Sequence, residues 1–324
     1  MPTPETATTQ QPAPATRTGR RSEAATGILY GFGAYGLWGL LPIFFIVLAP
    51  ANSIEIVANR VVWSVVFCAI IVTAARGWGK VLRAVTSTKI LGTLAVAAVL
   101  IAVNWLTYVF AVTSDHAVEA SLGYFINPLV AILLGVFVLK EKLRPLQWLA
   151  VGVGFAAVVV LTISYGQLPW IALTLAFSFG LYGYVKNRVG GAVDAITSLS
   201  IETAVLTPVA IVAMVVLAAA GQATLTGLGA GHFWLLASAG IVTAVPLLLF
   251  GAAARRLPLS TIGLLQYVAP LLQFIIAITL LGEHMGPDRW IGFGIVWLAL
   301  VLLTLDMLRA HRQAAHLRRA ALAG

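Results

Sequence analysis

Arg60, Glu119 and Glu202 interrupt otherwise apolar runs of this chain. An arginine and two carboxylates held among apolar residues can bind a charged solute, pair with one another or carry a proton. They are not a nucleophile with its base. Arg60 and Glu119 both fall in the outer half of their segments, the second and the fourth, so they could pair as an outer gate. Glu202 has no basic residue in its own segment to keep it ionised, which marks it as the carboxylate that takes up and releases a proton. Amides and aromatics fall between these charges. Trp38, Asn104, Tyr124, Asn127, Gln266 and Tyr267 are expected to line a cavity. Pro128, Pro246 and Pro270 lack a backbone donor, so they are expected to break their helices and turn free carbonyls towards that cavity. Plainer readings exist. Arg60 and Glu202 could snorkel to the nearer surface, Glu119 could stabilise the N-terminus of its own helix, and Trp38 could face lipid like Trp170, Trp234 and Trp290.

Motifs for covalent or metal chemistry fail on context. Gly31-Phe32-Gly33-Ala34-Tyr35-Gly36 fits a dinucleotide-binding spacing, but it lies within an apolar segment with no strand before it. Small residues there let helices approach closely. Ala176-Phe177-Ser178-Phe179-Gly180 comes within one residue of a nucleophile elbow, again inside an apolar segment. The five histidines do not cluster as ligands, and the single cysteine, Cys68, is read as a packing residue. No metal, cofactor or enzymatic activity is expected.

The elements that hold these residues are membrane helices. Sixty per cent of the residues are hydrophobic, 10% are charged and the mean hydropathy is +0.97, whereas soluble domains carry about 25% charged residues. A span needs about 20 apolar residues. Ten segments qualify, at 26–48, 53–74, 88–112, 117–139, 145–163, 168–187, 195–219, 232–254, 259–281 and 287–307. The net charge of +9 is not a nucleic-acid signature, because 18 of the 20 basic residues fall on one side of this topology. By the positive-inside rule that side is the cytoplasm, and both termini lie there.

The chain also matches itself at an offset of 142 residues. Pro128 falls on Pro270, Glu141 on Glu283, Trp148 on Trp290 and Gly152 on Gly294. The same offset sets Arg60 on Glu202 and Asn104 on Pro246. An odd number of spans per copy requires the second copy to be inverted, an arrangement of solute transporters. The fold class is therefore an all-α polytopic membrane protein of ten transmembrane helices in two inverted five-helix repeats. Residues 26–163 and 168–307 form the repeats, 1–25 a disordered cytoplasmic tail, and 308–324 a basic cytoplasmic tail resting on the inner headgroups.

Several blocks resemble the RarD family, in the EamA-type branch of the drug/metabolite transporter superfamily. The most specific is Glu119-Ala120-Ser121-Leu122-Gly123-Tyr124-Phe125-Ile126-Asn127-Pro128-Leu129. Asn104-Trp105-Leu106 with Ala111-Val112 agrees with it, as do Thr243-Ala244-Val245-Pro246-Leu247 with Phe250, and Leu259-Ser260-Thr261-Ile262-Gly263 with Gln266-Tyr267. One departure is Asn59-Arg60 where the pattern has His-Arg, which takes the ground from a proton-handling role at that position. The resemblance implies secondary transport around a central cavity, with the fifth and tenth helices outside its wall. The expected function is a cell-membrane permease or exporter that moves a small organic metabolite or drug by alternating access. Its expected partners are that solute, the lipid bilayer, a coupling proton and, left open, a second copy in a homodimer. An embedded enzyme and a non-transporting sensor are the alternatives.

Overall fold

Apolar runs of this length can satisfy their backbone groups within a bilayer only by closing their own hydrogen bonds, and helix is the simplest solution. The computed structural model describes residues 17–321 apart from 141, 190–191, 255 and 258. Every regular element among these residues is helical: α1 (Arg17–Gly39), α2 (Leu41–Val47), α3 (Ser53–Ala74), α4 (Trp78–Thr86), α5 (Thr88–Thr113), α6 (Ala117–Leu139), α7 (Pro145–Tyr165), α8 (Trp170–Val189), α9 (Ala195–Ala219), α10 (Gly229–Ala237), α11 (Ala239–Ala254), α12 (Leu259–Leu265), α13 (Val268–Thr279) and α14 (Pro287–Ala321). The expected tails are entered by helix at both ends, since α1 starts at Arg17 and α14 runs to Ala321.

Nine helical segments of the described chain are long and apolar enough to cross a membrane. They coincide with nine of the ten expected spans. The exception is α8, a helix of 20 residues that carries Lys186 and Arg188 in its last turn. The short helix α4 lies where a loop was expected. It buries Val81 and Ala84 while Lys80 and Arg83 stay outside.

The three prolines expected to break helices behave differently. Pro128 lies inside α6 and Pro246 inside α11, and both helices continue through them. Proline removes one ladder bond and forces a local kink, and neighbouring helices can tolerate that without ending the helix. Pro208 sits in α9 in the same way. Only Pro270 adjoins a break, being the third residue of α13, just after the Gln266–Tyr267 turn that separates α12 from α13. The other breaks fall at Leu40, before a helix with Pro42 in its first turn, and at Ser238 rather than at Pro246.

The internal offset recurs in the helix ends. The starts of α3 and α9, of α6 and α12, and of α7 and α14 are each 142 residues apart. Asn52 and Asp194, at the same offset, cap α3 and α9 by accepting the N–H of Glu55 and of Thr197, each at 2.9 Å. Such a cap stabilises a helix by about 1 kcal/mol. Packing partners are exchanged between the halves. α1 packs on α11 and α13, whereas α8 packs on α5 and α6; α3 and α9 cross at the centre and α7 pairs with α14.

Small residues make these crossings close. A Cβ on Gly240 would stand 2.4 Å from the backbone of Trp63, where α11 meets α3, and one on Gly123 would stand 2.7 Å from Ala172 O, where α6 meets α8. The glycines of the false dinucleotide motif act in the same way in part. Gly31 and Gly33 face Leu265 and Leu249, while Gly36 borders open space.

Candidate functional site

The polar residues that apolar helices cannot leave unpaired gather along the middle of the bundle. Arg60, on α3, is only 5% exposed. Its Nε donates to Thr243 Oγ1 of α11 at 2.8 Å, and its guanidinium lies over the Trp105 ring at 4.2 Å and near the Phe45 ring at 5.9 Å. Rings then continue from Phe45 to Tyr108 (5.9 Å), Tyr124 (5.5 Å), Phe179 (5.9 Å) and Tyr182 (6.0 Å). Halfway along, Asn104 is fully bonded. It accepts from the Tyr124 hydroxyl at 2.9 Å and donates to Leu175 O and Ser178 Oγ, each at 3.1 Å.

The column ends at Glu202 on α9, which is 1% exposed. Its carboxylate accepts from the Tyr182 hydroxyl at 3.0 Å and the Ser198 hydroxyl at 2.7 Å, and pairs with Lys186 Nζ at 2.6 Å. Lys186 also donates to Ser198. Tyr182 and Lys186 are four residues apart on α8, and Ser198 and Glu202 four apart on α9, so each pair shares a helix face. Arg60 and Glu202 are each the eighth residue of their helices, at the repeat offset.

Two expectations need correction. Glu119 does not pair with Arg60. The ion pairs among the described residues are Lys80–Asp194, Arg144–Asp306 and Lys186–Glu202. Glu119 lies in the first turn of its own helix, α6. Its carboxylate faces the backbone N–H groups of Ile171 and Ala172, in the first turn of α8, where the helix dipole favours an anion. Glu202 does have a cation, because a neighbouring helix supplies what its own helix lacks. Two further carboxylates, Glu55 and Asp306, are buried within the spans.

Glu55 ties α3 to the α9–α10 loop by accepting from Thr224 N (2.7 Å), Leu225 N (2.9 Å) and the Thr224 hydroxyl (2.9 Å). Glu283 holds the N-terminus of α6, accepting from Ala117 N at 2.5 Å and Val118 N at 2.9 Å. Burial pushes the Glu283 carboxyl above the usual range against the pull of those two donors. At the other end, burial would raise Asp194, but the Thr197 and Lys80 hydrogen bonds outweigh it and hold its carboxyl below the usual range.

The remaining sequence-derived residues lie beside the column. Trp38 packs with Tyr35 at 5.4 Å and Phe250 at 6.0 Å, and its carbonyl accepts from Gln273. Asn127 turns its Oδ1 towards Gly180 across the α6–α8 contact and has no hydrogen-bond partner there. Tyr267 lies against Gln266 and Thr304 of α14. Cavities of about 540 and 300 Å³ open elsewhere, the larger beside Glu283 and Arg289, the smaller beside Lys142 and Arg144. Arg60 and Glu202 are buried at the two ends of the column, while Lys186 beside Glu202 is partly exposed.

Phe45, Tyr108, Phe179, Tyr182 and Lys186 escaped sequence reasoning. The fourfold spacings of Tyr182–Lys186 and Ser198–Glu202 were the available signal for the last two. Chemically, the column offers aromatic faces, amides and hydroxyls between two charged ends. Among the described residues, no three His, Cys, Asp or Glu side chains converge as a metal site.

Residues 25–163 match the EamA-like transporter family. The chain is 51% identical over 301 residues to a protein named RarD from Streptomyces exfoliatus, covering 93% of this chain and 95% of that one. It is 42% identical over 287 residues to Protein RarD of Escherichia coli strain K12, covering 89% and 96% respectively. Other relatives, 37–41% identical, carry the name transporter. A solved crystal structure shares the fold with a TM-score of 0.59 at 18% identity, covering 88% of this chain and 99% of that one. Together with the apolar helices, these matches support a multi-pass membrane transporter.

Proposed function

Because the chain belongs to the RarD family of EamA-type transporters, we propose that it is a secondary transporter that carries a small organic metabolite or drug across the cell membrane by alternating access. The observation that carries this reading is the buried column from Arg60 to Glu202. It offers binding groups for an organic solute and carries a charged cluster at each end. A solute site at mid-depth between two gates is what alternating access requires.

Ten spans follow if α8 is counted, because its 20 residues extend about 30 Å at 1.5 Å per residue. Long-range contacts favour that count. The first turn of α8 meets Glu119 at the start of α6, which is itself held by Glu283, while the last turn delivers Lys186 to Glu202. Lys80–Asp194 and Arg144–Asp306 fall at the basic end, the cytoplasmic one by the positive-inside rule. Five spans per copy then invert the second repeat and leave both termini in the cytoplasm.

In this reading Lys186–Glu202–Tyr182 is the inner gate and the Arg60 cluster the outer one. A proton arriving at Glu202 removes the charge that holds Lys186, so the inner end opens. The solute is a small amphipathic or zwitterionic molecule. The test is flux. Compounds that raise the melting temperature of the purified protein are loaded into proteoliposomes as radiolabelled solutes. Efflux faster than from protein-free liposomes is expected. Stabilisation without flux would replace transport by a sensing role.

A further inference from the structure

We propose that Arg60 and Tyr108 form a buried subsite for a monoanionic carboxylate on the transported solute, an assignment that rests on the transport function above. Arg60 is buried, yet none of the ion pairs among the described residues includes it. Thr243 engages its Nε, while its Nη1 has no hydrogen-bond partner. The Trp105 face stabilises the cation without supplying an acceptor for that N–H. Glu119, the carboxylate expected to neutralise Arg60, is turned to the first turn of α8.

The second orphan is the Tyr108 hydroxyl, buried and without a partner. Phe45 packs against both the Arg60 guanidinium and the Tyr108 ring, so the two residues that carry the unfilled donors flank one aromatic side chain. Tyr124, next along, is already committed to Asn104. A buried charge without a counter-ion and a buried donor without an acceptor are both costly, so a native fold keeps them together for a ligand that fills both. One positive charge and two free donors match the two oxygens and single charge of a carboxylate. A phosphate dianion would need a second cation, and Lys186 is held by Glu202 at the far end of the column. A neutral amide would leave the guanidinium uncompensated. Trp105, Phe45 and Tyr124 provide an aromatic lining for the body of the solute.

The test uses the purified full-length protein in carboxylate-free buffer, titrated with sodium benzoate, benzamide or inorganic phosphate while the melting temperature is followed. Benzoate should raise it in a saturable manner; benzamide, the neutral isostere, and phosphate at equal concentration should not. Tyr108→Phe should weaken benzoate binding about tenfold, as for loss of a hydrogen bond to a charged group. Arg60→Met should abolish the benzoate effect and raise the melting temperature of the ligand-free protein, because it removes an uncompensated buried cation. No benzoate shift in the wild type, an equal benzamide shift or a larger phosphate shift would overturn the subsite. So would a benzoate shift that survives Arg60→Met, or a ligand-free Arg60→Met protein that melts lower. If Arg60→Met does not fold, unchanged benzoate affinity in Tyr108→Phe overturns the subsite. The readout is binding, so flux without benzoate binding would remove only the subsite. Benzoate binding without any flux would remove only the transport reading.

Discussion

Cutting the Lys186–Glu202 bridge from its two ends should cost unequal amounts. The Glu202 side chain is 1% exposed and that of Lys186 27%. Glu202→Gln keeps an acceptor for the Tyr182 hydroxyl and leaves behind a lysine whose flexible stem can carry its charge towards water. Lys186→Met instead strands a carboxylate with only the Tyr182 and Ser198 hydroxyls for company. Removing one partner of a buried pair costs about 3–5 kcal/mol, which is the expectation for Lys186→Met. Glu202→Gln should cost about 1–2 kcal/mol, the range for weakening a charge-assisted hydrogen bond. The double variant should be more stable than Lys186→Met alone, with a coupling energy of about 2 kcal/mol. Equilibrium unfolding in mixed detergent–dodecyl sulfate micelles, followed by tryptophan fluorescence, measures all four proteins at one dodecyl sulfate fraction. Additive costs, or Glu202→Gln as the costlier single change, would refute the reasoning. In proteoliposomes the same Glu202→Gln protein should bind solute but no longer respond to a proton gradient.

Gly240→Ala should destabilise by about 1–3 kcal/mol, the usual cost of overpacking, because its Cβ would meet the Trp63 backbone at 2.4 Å. Gly36→Ala, in open space, should be neutral or stabilising by up to about 1 kcal/mol in the same unfolding assay. Asp194, held below the usual carboxylate range, contributes stability above its unfolded pKa and loses it as pH falls through its lower folded value. Asp194→Asn should therefore melt below the wild type at neutral pH and converge with it in acid. The gap should be under about 1 kcal/mol, since the side chains of the Lys80–Asp194 pair are 65% and 47% exposed. Reporter fusions at the C-terminus and within 76–89 should report the cytoplasm, and an external C-terminus would rule out an even number of spans.

Nine spans were legible because each apolar run is longer than any core helix needs to be, and the repeat was legible because prolines, a tryptophan and a glycine recur at one offset. Helix α4 was not, since nine residues mixed with Lys80 and Arg83 resemble a loop to any span-length criterion. Arg60, Asn104 and Glu202 announced themselves by the cost of burying them. Their partners did not, because Thr243 lies 183 residues from Arg60, Leu175 lies 71 from Asn104 and Lys186 lies 16 from Glu202. Helix packing, not local sequence, brings those groups together. The same limit misdirected Glu119, whose acceptor role is set by the first turn of α8, and the helix-break reading of Pro128 and Pro246, which neighbouring helices accommodate.

Alternating access requires that the middle of the column be reached from each side of the membrane in turn. Cys68 is the chain's single cysteine and is buried in α3, so Cys68→Ser gives a background free of thiols. Phe179→Cys in that background places one thiol between Tyr124 and Tyr182 without removing a hydrogen bond. Right-side-out and inside-out vesicles are then exposed to a membrane-impermeant thiol reagent. Alternating access predicts labelling in both preparations, slowed in each by a transported solute. Labelling from one side only, or from neither, would contradict it.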